Sequence, residues 1–212
     1  MHTAERKKRE KEDRRVAIID VAERLFSRKG YDGVTMEEVA REAQLATGTL
    51  YLYFENKDTL YVSVAMRAVD IFGSMLEAAM NGQTKGLAKA YAGGLAFYEF
   101  AKKYPVYFHM LLCAEPKYDS ANIGKTIRDE FATKNFRTWQ ITVDAIRLGI
   151  EDETIRPDAD PEVTAILLSE TTKAMIITPL AMLAKKDGKP RTRDEIVYFT
   201  IDALKSAIEN KG

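Results

Sequence analysis

The residues able to carry out catalysis or to bind a metal are few in this chain of 212 residues. It has one cysteine, Cys113, and two histidines, His2 and His109. A single cysteine excludes an internal disulfide framework, and so few thiol and imidazole groups disfavour a zinc site. His109 and Cys113 lie four residues apart, and an isolated pair of this kind is more typical of helix packing than of chemistry. The sequence also lacks a Ser/His/Asp arrangement and a phosphate-loop motif, so we expect no enzyme, no metal and no cofactor.

A different chemistry is indicated by the segment TGTLYLYF, residues 47–54, which combines hydroxyl and aromatic side chains. On a helix with about 100° per residue, Leu50 and Phe54 share one side and would face a core. Gly48 and Leu52 fall on the opposite side. The hydroxyl side chains lie on the two flanks, Thr47 and Tyr51 on one, Thr49 and Tyr53 on the other.

This distribution of side chains suits a helix that lies in the major groove of DNA. Hydroxyls on both flanks can reach phosphates of opposite strands, while the small outer face meets base edges. The alternative is that the aromatic residues only fill the core of a helical bundle. Tyr51 and Tyr53 cannot both face the same core as Leu50 and Phe54, which favours the DNA-recognition interpretation.

The charge of the whole chain does not bear on a nucleic-acid partner, because 32 basic residues balance 32 acidic ones. The start of the chain is locally basic, since residues 5–15, ERKKREKEDRR, hold seven basic and four acidic side chains. A solvated helix extension is the favoured interpretation of this run. The alternative is an arm in which Arg14 and Arg15 add phosphate contacts.

The sequence shows neither a secretory leader nor a membrane-spanning segment. The N-terminus is charged, and the longest apolar run, residues 176–184, is far shorter than the ~18 residues that a spanning helix needs. We therefore expect a cytoplasmic protein without a membrane partner.

Apolar residues recur at helical spacing along nearly the whole chain, and we find no convincing strand pattern. Gly30 ends the first helix, Thr35 and Glu38 form a capping box for the second, and Asn56 can cap the helix after the recognition segment. Asp160 with Pro161, and Thr192 with Glu195, mark two later helix starts. The later helices are expected at residues 57–80, 86–103 and 105–112, then through 131–149, at 161–185 and from 193 to the C-terminus, with a polar loop at 114–124.

The sequence thus predicts an all-α protein of about nine helices in two domains. Residues 1–56 would form a helix-turn-helix DNA-binding domain with a charged N-terminal extension, and residues 57–212 a larger helical domain. Its run 176–183, IITPLAML, is apolar on nearly all sides, so we expect helices near 161–185 and 193–210 to pair two subunits. The alternative is that this apolar run is buried within the monomer.

The middle helices carry aromatic and methionine side chains for which two interpretations stay open. Most of this surface is expected to be ordinary core, and part of it could line a cavity for an apolar ligand. The candidate effector-binding residues are Tyr91, Tyr98, Phe108, Phe136, Trp139 and Met175.

Residues 16–60 resemble the DNA-binding domain of the tetracycline-repressor (TetR) family of transcriptional regulators. The resemblance is carried by IIDVAERLFSRKGYDGVTMEEVAREAQLATGTLYLYFENKDTL. It implies a homodimer, a third helix that reads DNA, and C-terminal helices that bind an effector. By position it also implies the DNA-contacting set Thr35, Thr47, Thr49, Tyr51, Tyr53 and Lys57, to which the helical wheel adds Gly48 and Leu52. The chain departs from the family pattern at Gln44, where a glycine is usual in the turn, and at Ala46, where a hydroxyl cap is usual.

We therefore predict a ligand-responsive transcriptional regulator, most simply a repressor that a small, mainly apolar effector releases from a palindromic operator. Its partners would be double-stranded DNA, the effector and a second copy of the chain. The rival hypothesis is a helical small-molecule-binding module without a DNA function.

Overall fold

Helices account for nearly all of the regular structure in the computed structural model, which describes residues 2–118, 122–179, 185–186 and 189–212. The described helices are α1 (His2–Lys29), α2 (Met36–Glu42), α3 (Thr47–Tyr51), α4 (Lys57–Asn81), α5 (Gly86–Lys103), α6 (Pro105–Tyr118), α7 (Lys125–Glu151), α8 (Pro161–Ile177) and α9 (Arg193–Ile208). Two short strands, β1 (Lys185–Lys186) and β2 (Lys189–Pro190), pair antiparallel with Lys185 opposite Pro190. The all-α fold class predicted from the sequence is confirmed.

The starts of α8 and α9 follow the capping residues that the sequence predicts. Asp160 accepts two hydrogen bonds from amides of the first turn of α8, both at 2.9 Å, and Pro161 occupies the first helical position. At α9 the Thr192 hydroxyl accepts from the Glu195 amide at 3.2 Å, and the Glu195 carboxylate accepts from the Thr192 amide at 2.7 Å. These bonds satisfy backbone donors that a helix start otherwise leaves unpaired.

Two helix ends differ from the prediction. Helix α8 ends at Ile177 rather than near 185, because Thr178 precedes Pro179 and has a ψ of 129°, and proline disfavours the helical conformation in the residue before it. Residues 180–184 of the predicted helix lie outside the described residues. Helix α6 continues to Tyr118, so the start of the predicted loop at 114–124 is helical; Ala114 is fully buried in a core cluster, which stabilises the extra turn. Residues 119–121 lie outside the description.

The chain divides into two compact units. Unit 1 consists of Met1–Val69 and Val106–Lys134, and unit 2 of Asp70–Pro105 and Asn135–Gly212. The functional domain boundary expected near residue 56 stays a prediction.

The core of unit 1 forms around the apolar stripe of α1. The residues of this stripe are Ile18, Ala22, Leu25 and Phe26, all at most 3% exposed. Val39 and Ala40 of α2, with exposures of 0 and 1%, belong to the same cluster. Gly30 ends α1 with a φ of 67°, as the sequence predicts, because this left-handed conformation strains residues that carry a Cβ.

Unit 2 contains several smaller apolar clusters among α4, α5, α7, α8 and α9. Helices α5 and α7 approach each other at two glycines. A Cβ on Gly86 would lie 2.0 Å from the backbone nitrogen of Gly149, so no side chain fits at this crossing. The close contact holds the start of α5 against the end of α7.

Among the described residues, one helix, α4, is long and apolar enough to cross a membrane by length and composition. Most of its apolar window, 61%, is buried inside the protein. A core helix passes the same test, so the finding is weak evidence for a membrane span.

Candidate nucleic-acid interface

The turn between α2 and α3 sets the angle of the candidate recognition helix. The Leu45 amide donates to the Ala40 carbonyl at 2.8 Å and the Gln44 amide to the Arg41 carbonyl at 3.1 Å, the two bonds of a Schellman helix end. This motif requires a left-handed residue, and Gln44 has a φ of 56°. Gln44, which stands where the family pattern has a glycine, therefore adopts the left-handed conformation at a cost of about 1 kcal/mol.

Helix α3 is anchored by the two side chains that the helical wheel places inward. Leu50 and Phe54 are 0 and 1% exposed and lie in the unit 1 core. The helix itself is shorter than the predicted span 47–54 and ends at Tyr51. Its first turn has no side-chain cap, because Ala46 occupies the N-cap position. The amides of Tyr53 and Phe54 both donate to the Leu50 carbonyl, at 2.9 and 3.0 Å, so the chain keeps a helical turn up to Phe54.

The predicted DNA-contacting side chains of this segment reach the surface of unit 1 together. Leu52 and Tyr51 are the most exposed, at 79 and 44%. The others are exposed or half-buried: Gly48 is exposed, and Thr47, Thr49 and Tyr53 are half-buried. A Cβ on Gly48 would meet no atom within 4 Å, so packing inside the protein does not require a glycine there. Its absence of a side chain leaves room on the outer face, where a DNA backbone or base edge could approach.

Thr35 lies at the N-cap of α2 and is exposed. Its hydroxyl oxygen accepts a hydrogen bond from the Glu38 amide at 3.2 Å. A hydroxyl has one donor besides its acceptor lone pairs, so the capping bond leaves the Thr35 O–H able to donate to a phosphate.

Lys57 has a structural role that sequence reasoning missed. Its ammonium donates to the backbone carbonyls of Tyr31 and Val34, each at 3.0 Å, and lies 4.1 Å from the centre of the Tyr31 ring. The Tyr31 hydroxyl in turn donates to Asp58 at 2.5 Å, and burial together with this bond raises the pKa of Tyr31. Lys57 therefore fastens the loop after α1 to the start of α4. An ammonium has three N–H donors, and the two carbonyls use two of them.

A second set of contacts in unit 1 joins α1 to α4 and α6. The Arg67 guanidinium forms ion pairs with Asp20, at 2.5 Å, and with Glu23. The Tyr107 hydroxyl donates to the other oxygen of Glu23 at 2.6 Å, and burial followed by this bond raises the pKa of Tyr107 to about 12. The partners are 44 and 84 residues apart in sequence, so no local pattern indicated them.

The basic N-terminal run continues α1 as one helix, and its side chains from residue 4 to 14 are exposed. This is the helix extension expected from its mixed charge. Arg15 is half-buried, lies 5.5 Å from the centre of the Phe54 ring and is 3.6 Å from Glu12. Contact of Arg14 and Arg15 with DNA stays a prediction.

The six candidate effector residues do not form one cluster in the described structure. In unit 2, Tyr91, Tyr98 and Met175 share an apolar cluster. Phe136 and Trp139 form a separate aromatic pair, with ring centres 5.7 Å apart, and Phe136 is 60% exposed. Phe108 is buried and belongs to unit 1. Their role in effector binding stays a prediction.

The thiol of Cys113 and the Nε2 atom of His109 are 3.5 Å apart on α6, so the two side chains do face each other. Among the described residues, no group of three or more His, Cys, Asp or Glu side chains is arranged to hold a metal ion.

A short helix, a Schellman turn and a second short helix with an exposed outer face define a helix-turn-helix DNA-binding protein. Residues 18–64 match the model of a family described as bacterial regulatory proteins, tetR family. This match identifies residues 18–64 as the DNA-binding domain of the TetR family of transcriptional regulators.

Relatives and solved structures agree with this assignment. The chain is 26% identical over 165 residues to an uncharacterized HTH-type transcriptional regulator, YhgD, of Bacillus subtilis, covering 77% of this chain and 83% of YhgD. It is 27% identical over 113 residues to IcaR, the negative regulator of the biofilm operon icaADBC in Staphylococcus aureus, covering 53% of this chain and 60% of IcaR. The crystal structure of AibR in complex with isovaleryl coenzyme A and operator DNA aligns with a TM-score of 0.63 and 19% identity, over 90% of this chain and 97% of AibR. At this identity the structural likeness shows the fold.

Proposed function

We propose that the protein is a ligand-responsive repressor that binds a palindromic DNA operator as a homodimer. The observation that carries the proposal is the exposed face of α3 and its following turn. Tyr51 and Leu52 project from a segment whose Leu50 and Phe54 are fixed in the core, so the reading face is rigid. Rigid presentation lowers the cost of ordering side chains when DNA binds. That IcaR is a negative regulator supports repression rather than activation.

The DNA contacts divide between bases and phosphates. Gly48, Leu52 and the outer edge of Tyr51 would meet the base edges, and the Leu52 methyls could pack on a thymine methyl. Phosphates would be bound by the hydroxyl groups of Thr35, Thr47, Thr49 and Tyr53. The remaining donor of Lys57 and the start of α4 would add one more phosphate contact.

Exposed apolar side chains on α8 and α9 support a homodimer. On α8, Val163, Ile166 and Leu167 are 64, 53 and 48% exposed, and on α9 Phe199 is 72% exposed. Several large apolar groups on adjacent helices of one unit are costly in water unless a partner covers them. A second copy covers the same patch symmetrically and sets two recognition helices about one DNA turn, ~34–36 Å, apart.

The effector is proposed to bind in unit 2 and to be mainly apolar. A small crevice there is lined chiefly by apolar side chains of α5, α8 and α9, with Tyr91 on its wall.

An effector releases DNA only if it binds the DNA-free conformation more tightly than the DNA-bound one. In unit 1 the bonds of Glu23 and Arg67 join α1 to α4 and α6, so a shift of α4 or α6 would reach α1 directly. AibR, a protein of the same fold, was crystallised with isovaleryl coenzyme A and operator DNA, which supports a small-molecule ligand besides DNA for this chain. The proposal places the protein in the cytoplasm and assigns it no enzymatic activity.

Selection of bound sequences from a random DNA pool tests the proposal. The expected result is an inverted repeat with half-site centres about 10–10.5 base pairs, or a multiple of that, apart. Enrichment of no sequence, or of a single unrepeated site by a monomer, would contradict it. Effectors can then be found by a thermal-shift screen, since a ligand that binds the folded state raises the melting temperature.

A further inference from the structure

A groove on unit 1 borders the recognition segment; it shares Leu52 and Tyr53 with the predicted DNA-contacting set, while its other lining residues lie outside that set. Its volume is about 490 Å³. Four stretches of chain line it: the exposed part of α1, the turn after α3, the first turn of α4 and the start of α7. The charged side chains in the lining are Lys8, Lys11, Glu12, Arg15, Glu55 and Lys125, and Thr59 lines the groove as well.

Positive charge predominates along the groove. Lys8, Lys11 and Lys125 are exposed, while Arg15 is half-buried and is paired with Glu12. Glu55 is the second acidic side chain of the groove, after Glu12. It lies beside Gly124, with its carboxylate 3.4 Å from the position that a Cβ on Gly124 would take. Four cations against two carboxylates make this groove attractive to an anion, and Glu55 is the group that an entering anion would displace.

The start of α7 supplies backbone donors at one end of the groove. The Arg128 amide donates to the Gly124 carbonyl at 3.1 Å, so the helix begins at residue 125. The amides of Lys125, Thr126 and Ile127 therefore have no acceptor within this helix, which is 27 residues long and has no acidic residue in its first turn. The positive end of the helix dipole adds to the attraction for an anion.

The hydroxyl of Thr59 is a second observation that favours a ligand in the groove. Thr59 is 4% exposed, and its Oγ1 has no hydrogen-bond partner within the described structure, although its amide is bonded to Asn56. A buried hydroxyl without a partner is destabilising, and such groups usually find one in a ligand or water. In this groove the partner would be an acceptor oxygen.

We propose that this groove is a phosphate-binding site. A phosphate offers several acceptor oxygens and negative charge, which match the lysines, the α7 amides and the Thr59 hydroxyl. One source is a backbone phosphate of the DNA that α3 reads, because Leu52 and Tyr53 line the groove as well as the recognition segment; this source rests on the proposed function. The other source is a free phosphate or a phosphorylated small molecule.

Salt dependence of DNA binding tests the first source. Full-length wild type is compared with Lys8→Ala/Lys11→Ala and with Lys125→Ala on DNA from upstream of its own gene. Each lost phosphate contact should lower the slope of log K against log salt by about 0.9, which makes the affinity loss between 50 and 200 mM salt about 3.5-fold smaller. The control Lys7→Ala/Arg9→Ala removes two charges from the same exposed helix outside the groove lining, and should change the slope less.

Thermal melts in inorganic phosphate test the second source. Phosphate should raise the melting temperature of wild type above that in chloride at equal ionic strength, and Thr59→Val and Lys8→Ala/Lys11→Ala should reduce this gain. Glu55→Gln should increase it, since the competing carboxylate is gone.

The results separate the two sources and the two proposals. If the slope of log K against log salt changes in the groove variants but not in the control, the groove binds a DNA phosphate. If phosphate raises the melting temperature of wild type and this gain is lost in the groove variants, the groove binds a free phosphate. Equal slopes in groove and control variants, together with no gain in melting temperature from phosphate, would show that the groove is not a phosphate site. If wild type does not select its upstream DNA at all, the proposed function fails, and the phosphate melts still decide this inference.

Discussion

Substitution of Lys57 by methionine should destabilise the DNA-binding unit through contacts inside the protein. The ammonium donates to the carbonyls of Tyr31 and Val34 at 3.0 Å and lies 4.1 Å from the Tyr31 ring centre. Methionine keeps an unbranched side chain of similar length but donates no hydrogen bond. The variant therefore removes the contacts while filling much of the same space.

The magnitude follows from the number of contacts and their exposure. A hydrogen bond from a charged donor contributes about 1.5–3 kcal/mol when well buried, and a cation–π contact at the surface about 0.5–1 kcal/mol. Lys57 is half-buried, so the lower ends apply and solvent replaces part of each bond. We expect a loss of about 2 kcal/mol in the free energy of unfolding, which lowers the melting temperature of a chain of this size by about 4–8 °C.

Urea denaturation and thermal melts measure this loss, with Lys7→Met as the control for removal of an exposed lysine. Lys7→Met should stay within about 0.5 kcal/mol of wild type. A Lys57→Met protein that melts within 1 °C of wild type would refute the fastening role. Binding to DNA should be compared well below the melting temperature, so that a lost phosphate contact is not confused with unfolding.

Three further substitutions test separate parts of the structure. Gln44→Gly should raise the free energy of unfolding by about 1 kcal/mol in urea denaturation, because glycine adopts a φ of 56° without strain; a decrease would contradict this view of the turn. Although burial acts in the opposite direction, hydrogen bonds from Thr154 and from the Gly86 amide hold the pKa of Asp152 below its ordinary value. The carboxylate therefore stabilises the fold above the unfolded pKa of about 3.9, and this contribution is lost as the pH falls through the lower folded value. Asp152→Asn should be less stable than wild type at pH 7 in thermal melts, with the difference shrinking below about pH 4; a difference that does not depend on pH would refute it. Phe199→Glu should convert the dimer to monomer in sedimentation analysis, whereas Phe136→Glu, a control on another exposed aromatic residue, should stay dimeric; a Phe199→Glu dimer would place the interface elsewhere.

Local sequence signals were sufficient to predict most helix starts and the inward face of α3. Asp160 and the pair Thr192–Glu195 cap their helices with short-range bonds that depend on neighbours two or three residues away. Leu50 and Phe54 are buried because their spacing follows the helical period. Patterns of this range are visible without a structure.

Contacts between distant residues could not be predicted in this way. The Lys57 ammonium donates to backbone carbonyls 26 and 23 residues earlier in the chain. The family resemblance indicated a DNA phosphate as its partner, because acceptors so distant in sequence become visible only in the fold. Polar composition suggested a loop after residue 113, but burial of Ala114 extends α6. The early end of α8 was predictable from Pro179, because proline disfavours the helical conformation in the residue before it. The prediction extended this helix to residue 185 because the run 176–183 is apolar.

The most direct test of the account compares affinities for specific and shuffled DNA. Fluorescence anisotropy at 150 mM salt would measure the binding of wild type and Tyr51→Ala to a fragment from upstream of the protein's own gene and to a shuffled fragment of equal composition. We predict that wild type prefers the upstream fragment by about 10³-fold or more. Tyr51→Ala should lose at least about tenfold on that fragment alone, with an unchanged melting temperature, because Tyr51 is 44% exposed on the reading face. Equal affinity of wild type for both fragments, or a Tyr51→Ala protein that binds the upstream fragment as tightly as wild type, would contradict the account.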